Sequence, residues 1–402
     1  MREKNSNLCR TVLLISISAI IYLSVYTVRN ILGAVSPQML DEKAISVIAA
    51  GRLSSIYFIT YAFGQLVNGF VGERVKARFM LCGGLTMAGI ALTLFVLLHQ
   101  NTAALYASYA VLGFSLSMIY CPLVKTNAEN LSKTNAMRAS LALALASAGG
   151  APIAGILASG FHWDFAFFIG AACLLLCGIS SFAIFGKMEK KGLIQYGQYE
   201  HKKSDGDVSR VLIHHGIAKM LLVSGVTGIV RTSVIFWLPT FFNQYLGYSD
   251  KESALLFTAA TTIIAFEPIL SVRVFHLLGN NIDRAIRCFM IASASAFLIT
   301  CLLKPSFISV GTIAFAIMTS NAASTMVWVC YCPMLRDTGL TSTATGILDF
   351  FSYFAGAIAS SVFANAVESV GWKPLLMIWM FIMTFGILVS IPKTHIGKEK
   401  TV

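Results

Sequence analysis

Hydrophobic positions in this chain fall into long runs that are separated by short polar segments. A helix needs about 20 apolar residues to cross a hydrocarbon layer roughly 30 Å thick, and twelve runs of about this length occur. They lie near residues 11–35, 45–71, 78–98, 102–123, 137–161, 164–185, 215–246, 253–277, 284–303, 307–331, 340–366 and 371–391. The pattern predicts an all-α membrane protein with twelve transmembrane helices.

The longest polar stretch between these runs covers residues 186–214. It carries six basic side chains: Lys187, Lys190, Lys191, Lys202, Lys203 and Arg210. Six apolar runs precede this stretch and six follow it. We therefore expect two pseudo-symmetric six-helix bundles, residues 1–185 and residues 215–402, joined by a basic cytoplasmic linker of residues 186–214.

Composition narrows the class of protein further. Of the 402 residues, 56% are hydrophobic and 12% are charged, whereas soluble domains carry about 25% charged residues. These values exclude a cytosolic enzyme, a disordered chain and a secreted disulfide scaffold. The net charge of +12 indicates basic cytoplasmic loops rather than a nucleic-acid partner.

Basic residues are distributed unequally between the two sides of the predicted bundle. If both termini are cytoplasmic, cytoplasmic segments hold 23 of the 30 Lys and Arg residues. The outer loops hold four: Lys43, Lys251, Lys304 and Lys373. Because positive charge concentrates on the cytoplasmic side, we expect a multi-pass protein of the cell inner membrane with both termini in the cytoplasm.

The first and seventh apolar runs repeat one motif. Arg29 precedes Pro37 by eight residues, and Arg231 precedes Pro239 by eight residues. Parallel repeats of this kind are typical of secondary transporters with a substrate site near the midplane between the halves. An arginine inside the bilayer costs about 2.5–3.5 kcal/mol on insertion scales. We therefore expect both arginines to face the interior and bind substrate, with a structural ion pair or snorkelling to the headgroups as the alternative.

Other polar groups within the runs extend this candidate site. Tyr22, Tyr26 and Arg29 fall within about 60° of one another on one helix face.

Arg52 lies near the outer end of its run, and we expect it at the interface rather than in contact with a ligand.

Two acidic residues also lie inside apolar runs. Glu267 precedes Pro268 in mid-run, and Asp349 lies one helical turn before Tyr353. Each is a candidate for coupling. Each is equally a candidate for a counter-ion to an arginine, a proton carrier, or a contact to hydroxyls or amines of a substrate.

A segment between the second and third runs resembles a known family signature. Gly69, Glu73, Arg74 and Arg78 occupy the positions of the cytoplasmic loop motif of the major facilitator superfamily. The corresponding segment in the second half, residues 279–284, is degenerate. The resemblance implies two six-helix bundles and a structural role for these charges at helix ends during conformational change.

Within that superfamily the chain resembles the organophosphate:phosphate antiporters, which include the glycerol-3-phosphate and hexose-phosphate transporters. The resemblance rests on Tyr22, Tyr26, Arg29, Tyr61, Arg231, the segment 237–240 and Tyr353. It implies that Arg29 and Arg231 bind the phosphate and that the tyrosines line the pore.

The chain also departs from the glycerol-3-phosphate branch of that family. Asn30 and Gln65 replace lysines, Gly228 replaces a tyrosine, and a histidine position falls near Ala146. The site is therefore less cationic, and substrate identity does not carry over. Asn30 and Gln65 remain candidate substrate contacts.

These observations predict a transporter of a phosphorylated or other organic anion that works by alternating access in exchange for inorganic phosphate. A proton- or cation-coupled organic anion symporter and a non-transporting sugar-phosphate sensor are the alternatives. We expect no enzyme activity, because no phosphate loop, metal-binding helix or serine elbow occurs. We expect no cofactor, no metal and no nucleic-acid partner, and we expect a monomer whose partners are the anionic solute and the lipid bilayer.

Overall fold

The computed structural model describes residues 2–196, 213–335 and 341–391, with side chains at all of these except 2–9, 69–70, 72–74, 133, 333 and 341–343. The described residues form helices and no strand. Twelve helices are long and apolar enough to cross a membrane, which confirms the predicted number. They are α1 Arg2–Asp41, α2 Val47–Arg74, α3 Ala77–Leu97, α4 Thr102–Asn130, α5 Lys133–Gly160, α6 Trp163–Lys190, α7 Ile217–Tyr245, α8 Asp250–Leu277, α9 Ile282–Leu302, α10 Phe307–Tyr331, α11 Thr341–Val370 and α12 Trp372–Val389.

Several helices run past the ends of their apolar runs. The sequence predicts the first helix to end near residue 35 and the sixth near residue 185, but α1 continues to Asp41 and α6 to Lys190. Outside the hydrocarbon a helix needs no apolar surface, and Lys187 and Lys190 lie where the α6 dipole favours positive charge. Residues 197–212 of the predicted linker lie outside the described residues, so the division into two bundles stays a prediction.

Side-chain caps explain where many of the helices begin. The N-cap side chain accepts a hydrogen bond from a first-turn backbone N–H in α2, α4, α5 and α9, at Ser46, Asn101, Ser132 and Asn281. At α8, Ser249 and Glu252 form a reciprocal capping box. Such caps pair backbone donors that have no partner within the helix.

Two of the spans are broken. α4 consists of Thr102–Ser117 and Tyr120–Asn130. α8 consists of Asp250–Ile264 and Glu267–Leu277, and Pro268 lies at the start of the second piece, where its missing N–H costs nothing. The break therefore falls beside Glu267, in the middle of the span.

Wide helical turns interrupt two further spans. α7 contains π-helical turns at Val230–Val234 and Phe241–Tyr245, and α10 contains one at Met326–Tyr331. The turn at Phe241–Tyr245 follows Pro239, which has no backbone N–H to donate to the preceding turn. Single π turns change the direction of nearby side chains and often occur at functional sites. Arg231 lies within the first of them.

The helices α1–α6 are called the first half below, and α7–α12 the second half. The far face is the end of the bundle where α1 and α5 end and α8 begins, and the termini face is the opposite end. In the far-face part of the bundle the halves touch closely. The Ser54 hydroxyl donates to Ser360 Oγ at 3.0 Å, and the Ser55 hydroxyl donates to the Ala357 carbonyl at 2.5 Å. Small residues allow this approach of backbones.

Glycine makes the corresponding contact between α5 and α8. A methyl group placed on Gly155 would meet Thr258 Oγ1, and it would lie 3.0 Å from the Ala254 carbonyl oxygen and 3.1 Å from the Phe257 ring. Only a glycine therefore allows α8 to pack this closely on α5.

The loop signature between α2 and α3 contributes one visible ion pair. Gly69, Glu73 and Arg74 lie in the last turns of α2, and the side chains of Glu73 and Arg74 lie outside the described set. Arg78 Nη1 in α3 lies 3.2 Å from Glu189 Oε2 in α6. This pair joins two helices of the first half at the termini face, and its part in conformational change stays a prediction.

A pH-dependent contact on the far face gives a testable prediction. His162 Nε2 lies 2.7 Å from Glu42 Oε1, and His162 Nδ1 lies 2.7 Å from Asp164 Oδ1. These carboxylates, Asp164 first, raise the pKa of His162 above its ordinary value. The contribution of this contact to the free energy of unfolding is therefore complete below the unfolded-state pKa of about 6.5 for histidine. It is lost as pH rises through the higher pKa that His162 has in the folded protein.

We expect His162→Gln to lower the melting temperature at pH 6 and to leave it unchanged at pH 9. Because about half of each side chain is exposed, the free-energy difference should stay below about 1 kcal/mol. His276→Gln is the matched control, since His276 bonds Asn280 and no carboxylate. A difference between wild type and His162→Gln that is equal at both pH values would contradict the assignment.

Candidate functional site

A cavity of about 340 Å³ lies between the two halves. Its wall includes Arg29 from α1 and Arg231 from α7, together with Glu267 from α8 and Tyr353 from α11. In α5 and α8 the lining residues lie on the termini side of the close contact at Gly155, except Phe257, which is part of that contact. The far-face contacts therefore close the cavity from that side.

Arg29 is a cation with aromatic neighbours and, among the described side chains, no acidic partner. Its guanidinium carbon lies 5.0 Å from the ring centre of Tyr26, 5.0 Å from Phe58 and 4.9 Å from Tyr353. Nη1 donates to the Tyr353 hydroxyl at 3.1 Å. Among the described side chains, no carboxylate lies within salt-bridge distance of Arg29. Aromatic faces hold a guanidinium in place and offset part of its desolvation, but they leave its charge unneutralised.

Arg231 differs in having a nearby acid. Nη2 donates to Ser352 Oγ at 3.1 Å and lies 3.8 Å from Asp349 Oδ1. The second distance is too long for a hydrogen bond, so Asp349 offsets the charge without occupying the donors of the guanidinium. Nε of Arg231 is buried and has no hydrogen-bond partner among the described residues. The Arg231 guanidinium therefore keeps N–H donors that can bind a ligand.

Tyr353 brings the two arginines together. The Arg231 guanidinium carbon lies 5.2 Å from the Tyr353 ring centre, and that of Arg29 lies 4.9 Å from it. The two guanidinium carbons are therefore separated by no more than the sum of these distances, about 10 Å. One arginine from each half thus faces a shared cavity, as the repeated motif predicts.

The other sequence-predicted residues divide into two groups. Tyr26 and Asn30 line the cavity, and the Asn30 amide donates to the Tyr26 carbonyl at 2.7 Å. Tyr22, Tyr61 and Gln65 lie behind the lining. The Tyr22 hydroxyl donates to the Tyr26 hydroxyl at 3.4 Å, and the Tyr61 ring packs edge-on against Tyr353 with centres 5.0 Å apart. Gln65 Oε1 accepts from the Cys121 thiol at 3.8 Å. Arg52 is exposed, as expected for an interfacial residue.

The two acidic residues have different surroundings. Asp349 lies near Arg231, which fits the counter-ion alternative. Glu267 is only 4% exposed, and its Oε2 accepts from the Thr325 hydroxyl at 3.1 Å. No described basic side chain lies within salt-bridge distance of Glu267. A counter-ion role therefore has geometric support for Asp349 alone.

The glycine at position 228 has a packing reason. A methyl group on Gly228 would meet Ser352 Oγ and lie 2.5 Å from the Ser352 carbonyl oxygen. The tyrosine found here in the glycerol-3-phosphate branch does not fit, because α11 packs directly on α7. This close packing brings Ser352 to Arg231.

Several site residues are absent from the sequence-based prediction. Phe58 packs on Arg29, and the Trp328 ring centre lies 5.9 Å from the Arg231 guanidinium carbon. The α10 residues Asn321, Ser324, Thr325 and Trp328 all line the cavity. Their spacing of three, four and seven residues places them on one helix face, so polar periodicity inside an apolar run is the signal that identifies them.

Two relatives of known sequence match part of the chain. It is 24% identical over 267 residues to the uncharacterized transporter YybO of Bacillus subtilis (strain 168), and this match covers 62% of this chain and 60% of YybO. It is 32% identical over 74 residues to the membrane sensor protein UhpC of Escherichia coli (strain K12), which covers 18% of this chain and 17% of UhpC. The matched region spans less than two thirds of each relative.

Solved structures match the fold over nearly the whole chain. A bacterial homolog of the human lysosomal transporter Spinster, in an inward-facing and occupied conformation, superposes with a TM-score of 0.72 at 14% identity, covering 94% of this chain and 95% of that one. A D-xylose-proton symporter superposes with a TM-score of 0.71 at 13% identity, covering 94% and 96%. At such identities the likeness concerns the fold alone.

The family profile matches much more of the sequence than either relative does. Residues 18–331 match the Major Facilitator Superfamily, which agrees with the twelve spans and with the solved structures of similar fold. The chain therefore belongs to the Major Facilitator Superfamily.

Proposed function

We propose that this protein carries a phosphorylated or other organic anion across the cell inner membrane, in exchange for inorganic phosphate, with both termini in the cytoplasm. The observation that carries the proposal is Arg29. It is a fixed positive charge at the cavity wall, surrounded by aromatic rings, with no carboxylate partner among the described side chains. An anionic ligand would supply the missing charge.

Guanidinium chemistry favours an oxyanion. A planar guanidinium presents parallel N–H donors that match the spacing of phosphate or carboxylate oxygens, and it stays charged at every physiological pH. Arg29 and Arg231 come from different halves and face one cavity. A ligand that binds both therefore joins the halves, which couples occupancy of the site to alternating access.

The charge balance favours exchange over leak. Asp349 lies near Arg231, whereas the described residues at hydrogen-bond or ring distance from Arg29 are all neutral. Enclosing an unpaired charge in a low-dielectric site is costly, so an empty carrier should resist the closed intermediate. A carrier with a bound anion should pass through the closed intermediate. Each change between the two open conformations then requires a bound ligand.

Counterflow tests this proposal. Protein in vesicles loaded with inorganic phosphate should take up labelled phosphate or glycerol 3-phosphate from outside, and vesicles loaded with sulfonate buffer alone should take up at least about tenfold less. We expect exchange to be insensitive to an imposed pH gradient. Equal uptake by empty and loaded vesicles would refute the exchange mechanism.

A proton-coupled symporter is the second candidate, because Glu267 is buried in the cavity wall without a cationic partner in the described structure. In the same vesicles, uptake driven by a pH gradient without internal phosphate would identify it. The short match to UhpC, which is described as a membrane sensor, supports a non-transporting sensor as another alternative. Ligand binding without flux would identify a sensor.

A further inference from the structure

Three oxygens in the cavity wall have no hydrogen-bond partner among the described residues. One is the Tyr57 hydroxyl in the first half, and the other two lie in the second half: Glu267 Oε1 and Asn321 Oδ1. Both side chains line the cavity, and Glu267 is more than nine-tenths buried. The other Glu267 oxygen accepts from Thr325, which lies one turn after Asn321 in α10. The two unpaired oxygens therefore belong to one polar cluster in the second half.

An unpaired buried acceptor is destabilising, and a carboxylate oxygen is more so than a neutral one. Native proteins leave few such atoms, and each of them needs an explanation. Packing does not require polarity here, because apolar side chains of similar size would fill the same wall at lower cost. A donor that arrives with the ligand accounts for both atoms at once.

Trp328 connects this cluster to the cationic part of the site. Its Nε1 donates to Ser324 Oγ at 3.0 Å, which fixes the ring, and the ring centre lies 5.9 Å from the Arg231 guanidinium carbon. Arg231 and the cluster are thus separated by about one side chain. A small organic anion spans that separation with its charged group at one end and its organic part at the other.

We propose that Glu267 and Asn321 form a second recognition site, which accepts hydrogen bonds from hydroxyl or ammonium groups on the organic part of the transported anion. This inference rests on the proposed function, since the anionic group is assigned to Arg29 and Arg231. The transported molecule is then bifunctional, with an oxyanion at one end and at least one hydrogen-bond donor at the other. Inorganic phosphate, the exchange partner, fills the arginine end alone.

Binding of three phosphate monoesters to the purified full-length protein tests the proposal. Glycerol 3-phosphate carries hydroxyl donors, O-phosphoethanolamine carries an ammonium group, and propyl phosphate has neither. We expect at least one of the first two to bind about tenfold or more tightly than propyl phosphate, because a buried polar site discriminates against a ligand that leaves it unpaired. The ester whose affinity exceeds that of propyl phosphate by the larger factor shows whether the site prefers a hydroxyl group or an ammonium group.

Two variants assign that preference to residues. Glu267→Gln keeps an acceptor oxygen and removes the charge, so it should abolish an advantage of O-phosphoethanolamine and largely preserve one of glycerol 3-phosphate. Asn321→Leu should reduce an advantage of glycerol 3-phosphate to less than about threefold. Asn365→Leu, on an exposed face of α11, is the matched control and should change nothing. If Asn321→Leu does not fold, the smaller Asn321→Ala takes its place with the same expected loss of the glycerol 3-phosphate preference.

The outcomes separate this inference from the one on which it rests. If propyl phosphate binds as tightly as the other two esters, the second recognition site is refuted and the arginine site stands. A preference that survives both variants unchanged also refutes the assignment to Glu267 and Asn321. If no phosphate ester binds at all, the proposed function itself fails.

Discussion

Arg29→Ala should reduce phosphate counterflow at least about 100-fold, which corresponds to a loss of about 2.7 kcal/mol of binding free energy. The reason is that Arg29 is the charge for which the described structure provides no acidic partner. Arg29→Lys should restore only a small part, because an ammonium group retains the charge and loses the paired donors. Folding should be preserved, since the substitution removes a buried charge without exposing another.

Arg231→Ala should cause a similar loss of transport with a different effect on stability. It leaves Asp349 without the cation that lies 3.8 Å away, so we expect a lower melting temperature. The double variant Arg231→Ala/Asp349→Asn should recover the melting temperature and stay inactive. Flux assays and thermal unfolding in detergent measure both effects.

Arg52→Ala is the matched control for both arginines, because Arg52 is exposed near the far-face end of α2. It should retain wild-type counterflow. Full counterflow by folded Arg29→Ala or Arg231→Ala protein would overturn the anion site.

Gly155→Val should shift the protein away from the conformation in which the far face is closed. The new side chain would meet Thr258 and the Ala254 carbonyl in α8, and overpacking of a tight contact typically costs 1–3 kcal/mol. By itself this shifts the ratio of the two conformations by about 5- to 150-fold. Because the proposed exchange needs both conformations, transport should fall strongly.

Labelling measures that shift directly. A cysteine in place of Ser54, at the far-face contact between α2 and α11, should react faster with an impermeant maleimide from the far face when Gly155→Val is present. Gly311→Val in α10 is the control, because a methyl group there would meet nothing within 4 Å. Equal labelling rates in the two glycine variants would mean that the α5–α8 contact does not control closure.

The number of spans and the two arginines could be predicted from sequence because both signals are local. A run of apolar residues predicts a span whatever surrounds it, and an arginine inside such a run is conspicuous because of its insertion cost. The repeat of Arg29 and Pro37 as Arg231 and Pro239 adds a second local signal. None of these depends on which helices pack together.

The partners of those arginines could not be predicted in the same way. Arg29 and Tyr353 are 324 residues apart in sequence, so their hydrogen bond depends on the packing of α1 against α11. From the sequence alone, Gly228 indicates only that a pore-lining tyrosine side chain is missing. Its packing role becomes clear when the position of Ser352 is known. The polar face of α10 is different, because its spacing is visible in the sequence and only its orientation required the fold.

The hydrogen bond from Arg29 to Tyr353 means that the unloaded carrier already has an internal competitor for its ligand. Tyr353 takes one of the five N–H donors of the Arg29 guanidinium, so an oxyanion at the proposed site would either share the guanidinium with the phenol or displace it. When an anion displaces the phenol, its binding free energy is reduced by that of the Arg29–Tyr353 hydrogen bond. In the proposed carrier, this hydrogen bond would weaken anion binding and so favour release of the anion on either side of the membrane.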